Sequence, residues 1–141
     1  MCSSTELKPG LKNVITKVVG PDHIAEFLGS GGVPVLATPM MIAWMEECAK
    51  LLVDNYLSPG QVTVGTRVDV VHKAPAKVGT KVTVEAELVE VSGRRLLFKV
   101  RAYSGDVVIG EGTHERYIVD LEKFKARTEE LSKRMEFETP R

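Results

Sequence analysis

The spacing of apolar residues along the chain changes at Gly60, from a helical period to a strand period. Before it, apolar residues recur about every 3.6 positions, which predicts one long helix over residues 39–56. After it the period falls to two, with turn sequences such as SGR and SGD between the alternating stretches. The pattern predicts four antiparallel strands, in VTVGTRVDVVHKA, TKVTVEAELVEV, RLLFKVRAY and VVIGEGTHERYIVD.

Further elements are predicted on either side of this pattern. Residues 11–19 favour a first strand, and a short helical turn with a Gly-rich loop follows it. The tail predicts an amphipathic helix over residues 121–136, with its apolar stripe at Leu121, Phe124, Leu131 and Met135 and with Thr128 between them. A curved antiparallel sheet wrapped around the long helix would bury it, so we predict an α+β hotdog fold. Residues 1–141 would form a single domain, with residues 1–9 flexible.

Composition argues against nucleic acid and membranes as partners and against disulfide bonds and a zinc site. Lys and Arg together number 19, as do Asp and Glu, so the net charge of zero does not favour binding to nucleic acid or to an anionic membrane. Cys2 and Cys48 are the two cysteines, and neither a disulfide framework nor a zinc site has that spacing. No stretch has the apolar length of a spanning helix or the pattern of a secretory signal. We therefore expect a reduced, cytoplasmic protein without a metal site.

Two adjacent glutamates on the long helix fall in different environments. A helical projection puts Glu47 in the polar stripe with Lys50 and Asp54, whereas Glu46 lies at the border with the apolar face. Glu46 and Lys50 stand four residues apart, so they could form an ordinary surface ion pair. Alternatively, Glu46 is a half-buried carboxylate that could act as a base or a nucleophile.

The start of the same helix also allows two interpretations. Thr38 precedes Pro39, which is the pattern of an N-cap residue followed by proline at the first helical position. The projection also places the Thr38 hydroxyl on the apolar side, at a helix end that can stabilise an oxyanion. Because proline has no N–H, Met40 and Met41 would be the local backbone donors.

Two histidines compete for a role as a catalytic base. His72 ends the strand face formed by Val62, Val64, Thr66, Val68 and Val70, where a histidine is commonly a core residue. His114 shares a strand face with Arg116 and with two glycines, Gly110 and Gly112, which suggest close approach of a backbone or a ligand. Arg116 could bind a phosphate or a carboxylate.

Together these motifs resemble a known family. The segments VLATPMMIAWMEECA, VGTRVDVVH, GRRLLFKVRAY and IGEGTHER resemble the fluoroacetyl-CoA thioesterase-like branch of the hotdog superfamily over roughly residues 10–125. That family has a catalytic Thr, a Glu eight residues later and a His 26 residues further on, which here are Thr38, Glu46 and His72. The resemblance also implies that Gly65 lines the acyl site and that Arg116 lies near the pantetheine or CoA part.

The resemblance implies an activity and a partner. It predicts an acyl-CoA thioesterase for a small or medium acyl group, acting as a homodimer without a metal or redox cofactor. The stretch GSGGVPVLA has glycines where the member that hydrolyses fluoroacetyl-CoA has an aromatic lid, which argues against that substrate. The alternative is a non-catalytic protein that binds acyl-CoA as a sensor or scavenger. A hydratase is disfavoured, since the Asp/His motif of hotdog hydratases is not found.

Overall fold

The computed structural model of the protein describes residues 6–138. In chain order the elements are strand β1 (Lys12–Val18), a 3-10 turn (Pro21–His23), the one-turn helix α1 (Ala25–Leu28) and the long helix α2 (Thr38–Asp54). Strands β2 (Gln61–His72), β3 (Lys81–Ser92), β4 (Arg95–Ser104) and β5 (Val107–Asp120) follow, and helix α3 (Leu121–Ser132) ends the described order. None of the helices within residues 6–138 has the length and hydropathy of a membrane span.

The five strands form one antiparallel sheet in the order β1-β3-β4-β5-β2, so β1 and β2 are its edges. Helix α2 packs against the inner face of this sheet, where it contacts β1, β2, β3 and β4. The apolar stripe of α2 and the inward residues of the strands form one core, including Met41, Trp44, Met45, Cys48, Val53, Val84, Leu88, Leu96 and Phe98. The predicted hotdog arrangement of one long helix against an antiparallel sheet is confirmed.

A β-bulge in β2 corrects one prediction about that strand. Gly65 pairs with Arg116 and Arg67 pairs with Glu115, so Thr66 is an extra residue without a partner of its own on β5. One extra residue exchanges the two faces of a strand. Residues 62, 64 and 66 therefore do not share a face with residues 68, 70 and 72, and it is Thr63 that is buried.

The chain ends differ in detail from the prediction. Residues 1–5 of the segment predicted to be flexible lie outside the described residues, and Leu7 packs against the core. The C-terminal helix ends at Ser132, four residues before the predicted end. It contains no buried residue, and Phe124 in its apolar stripe is 41% exposed.

Candidate active site

Thr38 and His72 are brought together where α2 begins and β2 ends. Thr38 is the first residue of α2 and is exposed, and its Oγ1 lies 2.7 Å from His72 Nδ1. When His72 is neutral with its proton on Nε2, the Thr38 hydroxyl donates a hydrogen bond to Nδ1. An imidazole in this position can take the proton of a hydroxyl nucleophile.

The opposite ring nitrogen of His72 has no partner. Nε2 is buried, and within residues 6–138 it forms no hydrogen bond. Burial lowers the pKa of His72 below its usual value, although a backbone hydrogen bond at Ala74 opposes this effect. The lowered pKa favours the neutral imidazole. Its Nε2–H is then a buried donor that lacks an acceptor.

The start of α2 corrects two predictions. The N-cap is Ala37, which makes no side-chain cap, so Thr38 does not act as the cap. The N–H groups of Met40 and Met41 both donate to the Ala37 carbonyl, at 3.1 and 3.0 Å, and are not free donors. Pro39 has no N–H, and within the described chain the Thr38 N–H forms no hydrogen bond. The free donor at this helix end is therefore Thr38 itself.

Glu46 lies on the border of α2, as the helical projection predicts. Its side chain is 42% exposed, and its Oε2 lies 3.9 Å from Nη1 of Arg116. Lys50 pairs with Asp54 at 2.6 Å, so the alternative of a Glu46–Lys50 surface pair is wrong. The two glutamates face different neighbours, Arg116 of β5 for Glu46 and a lysine of β1 for Glu47. Their side chains are almost equally exposed, at 42% and 44%, so the structure does not show the predicted difference in burial.

Gly65 of β2 faces the carboxylate of Glu46. A Cβ added at Gly65 would lie 2.7 Å from Glu46 Oε2, 3.1 Å from His114 Cε1 and 3.3 Å from Arg116 Nη1. Any side chain would therefore compete with these three groups for space. The absence of one is what lets the carboxylate lie against the strand.

Beneath Gly65, a buried polar cluster joins β2 to β5. Arg116, 6% exposed, donates from Nε to Thr63 Oγ1 at 2.8 Å and from Nη2 to the Thr63 carbonyl at 3.1 Å. Its Nη1 lies 3.1 Å from His114 Nε2 and donates to it, because His114 Nδ1–H donates to the Arg67 carbonyl at 2.9 Å. Burial lowers the pKa of His114, which agrees with this neutral tautomer. Both ring nitrogens of His114 are thus hydrogen-bonded in the core. The half-exposed Glu46 is the partner of Arg116 that lies towards the surface.

The predicted site residues therefore form two separate clusters in one chain. Thr38 and His72 form the first, and Glu46, Gly65 and Arg116 form the second. Eight residues of α2 separate Thr38 from Glu46, a rise of about 12 Å. No hydrogen bond joins the clusters within the described part of the chain, so Thr38, Glu46 and His72 do not form one hydrogen-bonded triad there.

Two of the clefts on the surface of the described residues bear on the site. One of about 340 Å³ is lined by Thr38 and His72 together with residues of the loop before α2. The larger, of about 550 Å³, lies on the outer face of the sheet and contains none of the predicted site residues. The smaller cleft is therefore the one of the two that contains the predicted Thr38–His72 pair.

Thr63 and the bulge at Thr66 are structural contributors that the sequence pattern did not reveal. Strand alternation predicts Thr63 on the face opposite His72, and only the bulge turns it inward beneath Arg116. The two glycines of β5 gave the clearer signal. A Cβ on Gly112 would overlap the Asp69 carbonyl of β2, so the predicted close approach of a backbone is confirmed.

Comparison with known proteins gives one consistent result. Residues 19–122 match the fluoroacetyl-CoA-specific thioesterase family. The fluoroacetyl-CoA thioesterase of Streptantibioticus cattleyicolor is 45% identical over 93 residues, which are 66% of this chain and 67% of that protein.

Solved structures agree with the family match. A variant of the fluoroacetyl-CoA thioesterase FlK in complex with acetyl-CoA has a TM-score of 0.83 at 35% identity, covering 88% of this chain and 98% of that one. A thioesterase superfamily member from Thermus thermophilus has a TM-score of 0.85 at 32% identity, covering 92% and 96% of the two chains.

Proposed function

The chain belongs to the fluoroacetyl-CoA-specific thioesterase family, and we propose that it hydrolyses the thioester of a small or medium acyl-CoA. The observation that carries this proposal is the hydrogen bond of 2.7 Å between an exposed threonine hydroxyl, Thr38, and a histidine, His72, whose pKa is lowered by burial. A nucleophile bonded to a neutral base at a helix N-terminus is the arrangement that acyl transfer requires.

In the proposed reaction the Thr38 hydroxyl attacks the thioester carbonyl while His72 Nδ1 takes its proton. The developing oxyanion accepts a hydrogen bond from the free Thr38 N–H. The C–S bond then breaks, and the CoA thiol leaves with the proton returned by His72, so Thr38 carries the acyl group as an ester. Water attacks this ester with His72 again as base, which releases the acid and restores the hydroxyl. These steps need no metal or redox cofactor.

Glu46 supports this chemistry from the second subunit of a homodimer. Within one chain it is about 12 Å further along α2 than Thr38, too far to bond the His72 ring. The buried Nε2 of His72 lacks an acceptor, and the carboxylate of Glu46 lacks a close hydrogen-bond donor among the described residues. Edge strand β2 is free to pair with β2 of a second copy. A two-fold axis at that edge would run the two α2 helices antiparallel and bring Glu46 of the partner subunit towards His72.

The same symmetry assigns a role to the rest of the second cluster. Gly65 and Arg116 of the partner subunit would accompany its Glu46 and form one wall of the acyl site. Because Arg116 is buried, we assign it to this wall instead of to the phosphates of CoA. Cys48 is a buried thiol without a disulfide partner, and burial raises its pKa to about 11. A free thiol is compatible with the reduced, cytoplasmic setting that we propose.

Release of free CoA thiol from a panel of acyl-CoA thioesters tests the proposal. We expect turnover that is lost in Thr38→Val, which keeps the shape of the side chain but removes the hydroxyl. If no thioester is hydrolysed while acyl-CoA binds, the protein is an acyl-CoA-binding sensor or scavenger and the proposal is wrong. Turnover that survives in folded Thr38→Val would show that Thr38 is not the nucleophile.

A further inference from the structure

The cleft beside Thr38 and His72 has a volume of about 340 Å³, within the range of roughly 300–1,000 Å³ that holds drug-sized ligands. At about 30 Å³ for each group the size of a water molecule, it has room for on the order of ten such groups. An acetyl group at Thr38 would leave most of this space empty.

The lining of the cleft is mostly alkyl. Its apolar members are Ala25, Val33, Val35, Leu36, Ala74 and Pro75. The pantetheine arm of CoA would lose hydrogen bonds to water here, because its two amides would lie against hydrocarbon. An alkyl chain would lose none, so the lining favours the acyl group as the occupant.

Charge in the cleft points to an uncharged acyl group. Lys73 is the one cationic side chain of the lining, apart from the histidine of the candidate pair. Its Nζ bonds Glu111 Oε2 at 2.5 Å, so its charge is already compensated. An acyl group that ends in a carboxylate would have to break that ion pair or remain unpaired against hydrocarbon.

Gly31 lines the cleft without a side chain that would fill it. Its φ is not in the left-handed region, and a Cβ there would lie 3.4 Å from the Cβ of Ala25 with nothing closer. A side chain at this position is therefore tolerated by the backbone, and because Gly31 and the neighbouring Ala25 both line the cleft, we expect a large side chain to fill part of it. Gly31 is in this sense a specificity-determining residue.

Resting on the proposed thioesterase function, we propose that this cleft selects an uncharged aliphatic acyl group of about four to eight carbons, straight or branched, over acetyl. Each buried methylene should raise kcat/KM by up to about fourfold. From acetyl-CoA to hexanoyl-CoA we therefore expect a rise of at least roughly tenfold, with succinyl-CoA as poor as acetyl-CoA.

The first experiment measures kcat/KM for acetyl-, butanoyl-, 3-methylbutanoyl-, hexanoyl- and succinyl-CoA with the wild-type protein and with Gly31→Phe. Filling the cleft should lower the value for hexanoyl-CoA by about tenfold or more and leave that for acetyl-CoA within about threefold. Gly31→Ala is the matched control, because it restricts the backbone in the same way but adds only one methyl group. A wild-type preference for acetyl-CoA, or an equal loss for both substrates in folded Gly31→Phe, would overturn the inference.

A second experiment separates this inference from the proposed function. Calorimetry measures the affinity of S-ethyl-CoA and S-hexyl-CoA, two thioethers that cannot be hydrolysed. We expect S-hexyl-CoA to bind at least about tenfold more tightly, and Gly31→Phe to remove that difference. If this holds but no thioester is hydrolysed, the cleft is assigned correctly and the thioesterase function fails. If the two thioethers bind with equal affinity while the protein hydrolyses thioesters, the assignment of the cleft is wrong and the proposed function stands.

Discussion

Gly65→Ala is the substitution whose effect on the site can be worked out most directly from the structure. The added Cβ would lie 2.7 Å from Glu46 Oε2, whereas ordinary van der Waals contact with a Cβ begins at 3.4 Å. Restoring ordinary contact therefore requires the two groups to separate by the difference, 3.4 − 2.7 = 0.7 Å. His114 and Arg116 are buried, so the half-exposed carboxylate is the group that moves.

A displacement of that size has different effects on catalysis and on stability. A misplacement of about 1 Å can cost on the order of 10²-fold in rate, so we expect kcat to fall by roughly 10- to 100-fold. Overpacking costs about 1–3 kcal/mol, and the lower end applies because a flexible, partly solvated side chain yields. KM should change less than kcat, since the CoA moiety is not touched.

Steady-state thiol release measures kcat and KM, and thermal unfolding measures stability. Gly32→Ala is the control for both. A Cβ at Gly32 would meet nothing within 4 Å, so that variant should keep wild-type rates. Wild-type kcat in a folded Gly65→Ala would refute the claim that the carboxylate of Glu46 against Gly65 takes part in turnover. Loss of the fold in Gly65→Ala would refute the claim that Glu46 is free to yield.

Three further predictions concern the charged and titrating groups. Glu46→Ala should lower kcat by roughly 10²-fold or more. Glu47→Ala removes only an exposed pair with Lys17, so it should alter stability by no more than about 0.5 kcal/mol and leave the kinetics unchanged. A large loss of kcat in Glu47→Ala but not in Glu46→Ala would contradict the helix placement. His72→Ala should cost roughly 10²–10⁴ in rate and abolish the acid limb of the pH–rate profile. In the wild type that limb should lie below the ordinary histidine value of 6.5, because the pKa of His72 is lowered. Folded His114→Ala should retain the limb. The pKa values of His72 and His114 are both lowered by desolvation, so below pH 6.5 the unfolded chain binds more protons than the folded one. The melting temperature should therefore fall as the pH drops below 6.5, and less so in His114→Asn, whereas a melting temperature independent of pH would refute this.

The elements of the fold could be predicted because each leaves a periodic mark. The apolar stripe from Met41 to Val53 requires a helix, and the alternation in β3 and β4 requires strands with one buried face. The bulge at Thr66 leaves no such mark. A single extra residue changes which face Thr63 occupies without changing the composition of the strand, and it is settled by the pairing of β2 with β5.

The sequence names candidate residues for the site, but it does not show how they are arranged. The helical projection separated Glu46 from Glu47 because the angle around α2 sets which strand a side chain faces, β5 for Glu46 and β1 for Glu47. It could not show that the Ala37 carbonyl takes both the Met40 and Met41 N–H groups, since that depends on how the chain enters the helix. Spacing along the chain likewise carries no information on whether one subunit or two would supply the members of the proposed site.

Subunit complementation tests the central claim, an active site with Thr38 and His72 from one subunit and Glu46 from the other. His72→Ala and Glu46→Ala, carrying different tags, are coexpressed, and the mixed dimer is isolated by both tags. In the shared arrangement one of its two sites is intact, so it should show about half the wild-type kcat per dimer.

Mixed dimers of His72→Ala with Thr38→Val are the matched control. They should be inactive, because these two residues come from the same subunit and each site then lacks one of them. Activity in the first mixed dimer but not in the second is the predicted result. A His72→Ala/Glu46→Ala dimer no more active than its parents, or a chain that is monomeric at 15.5 kDa while it turns over substrate, would contradict the account.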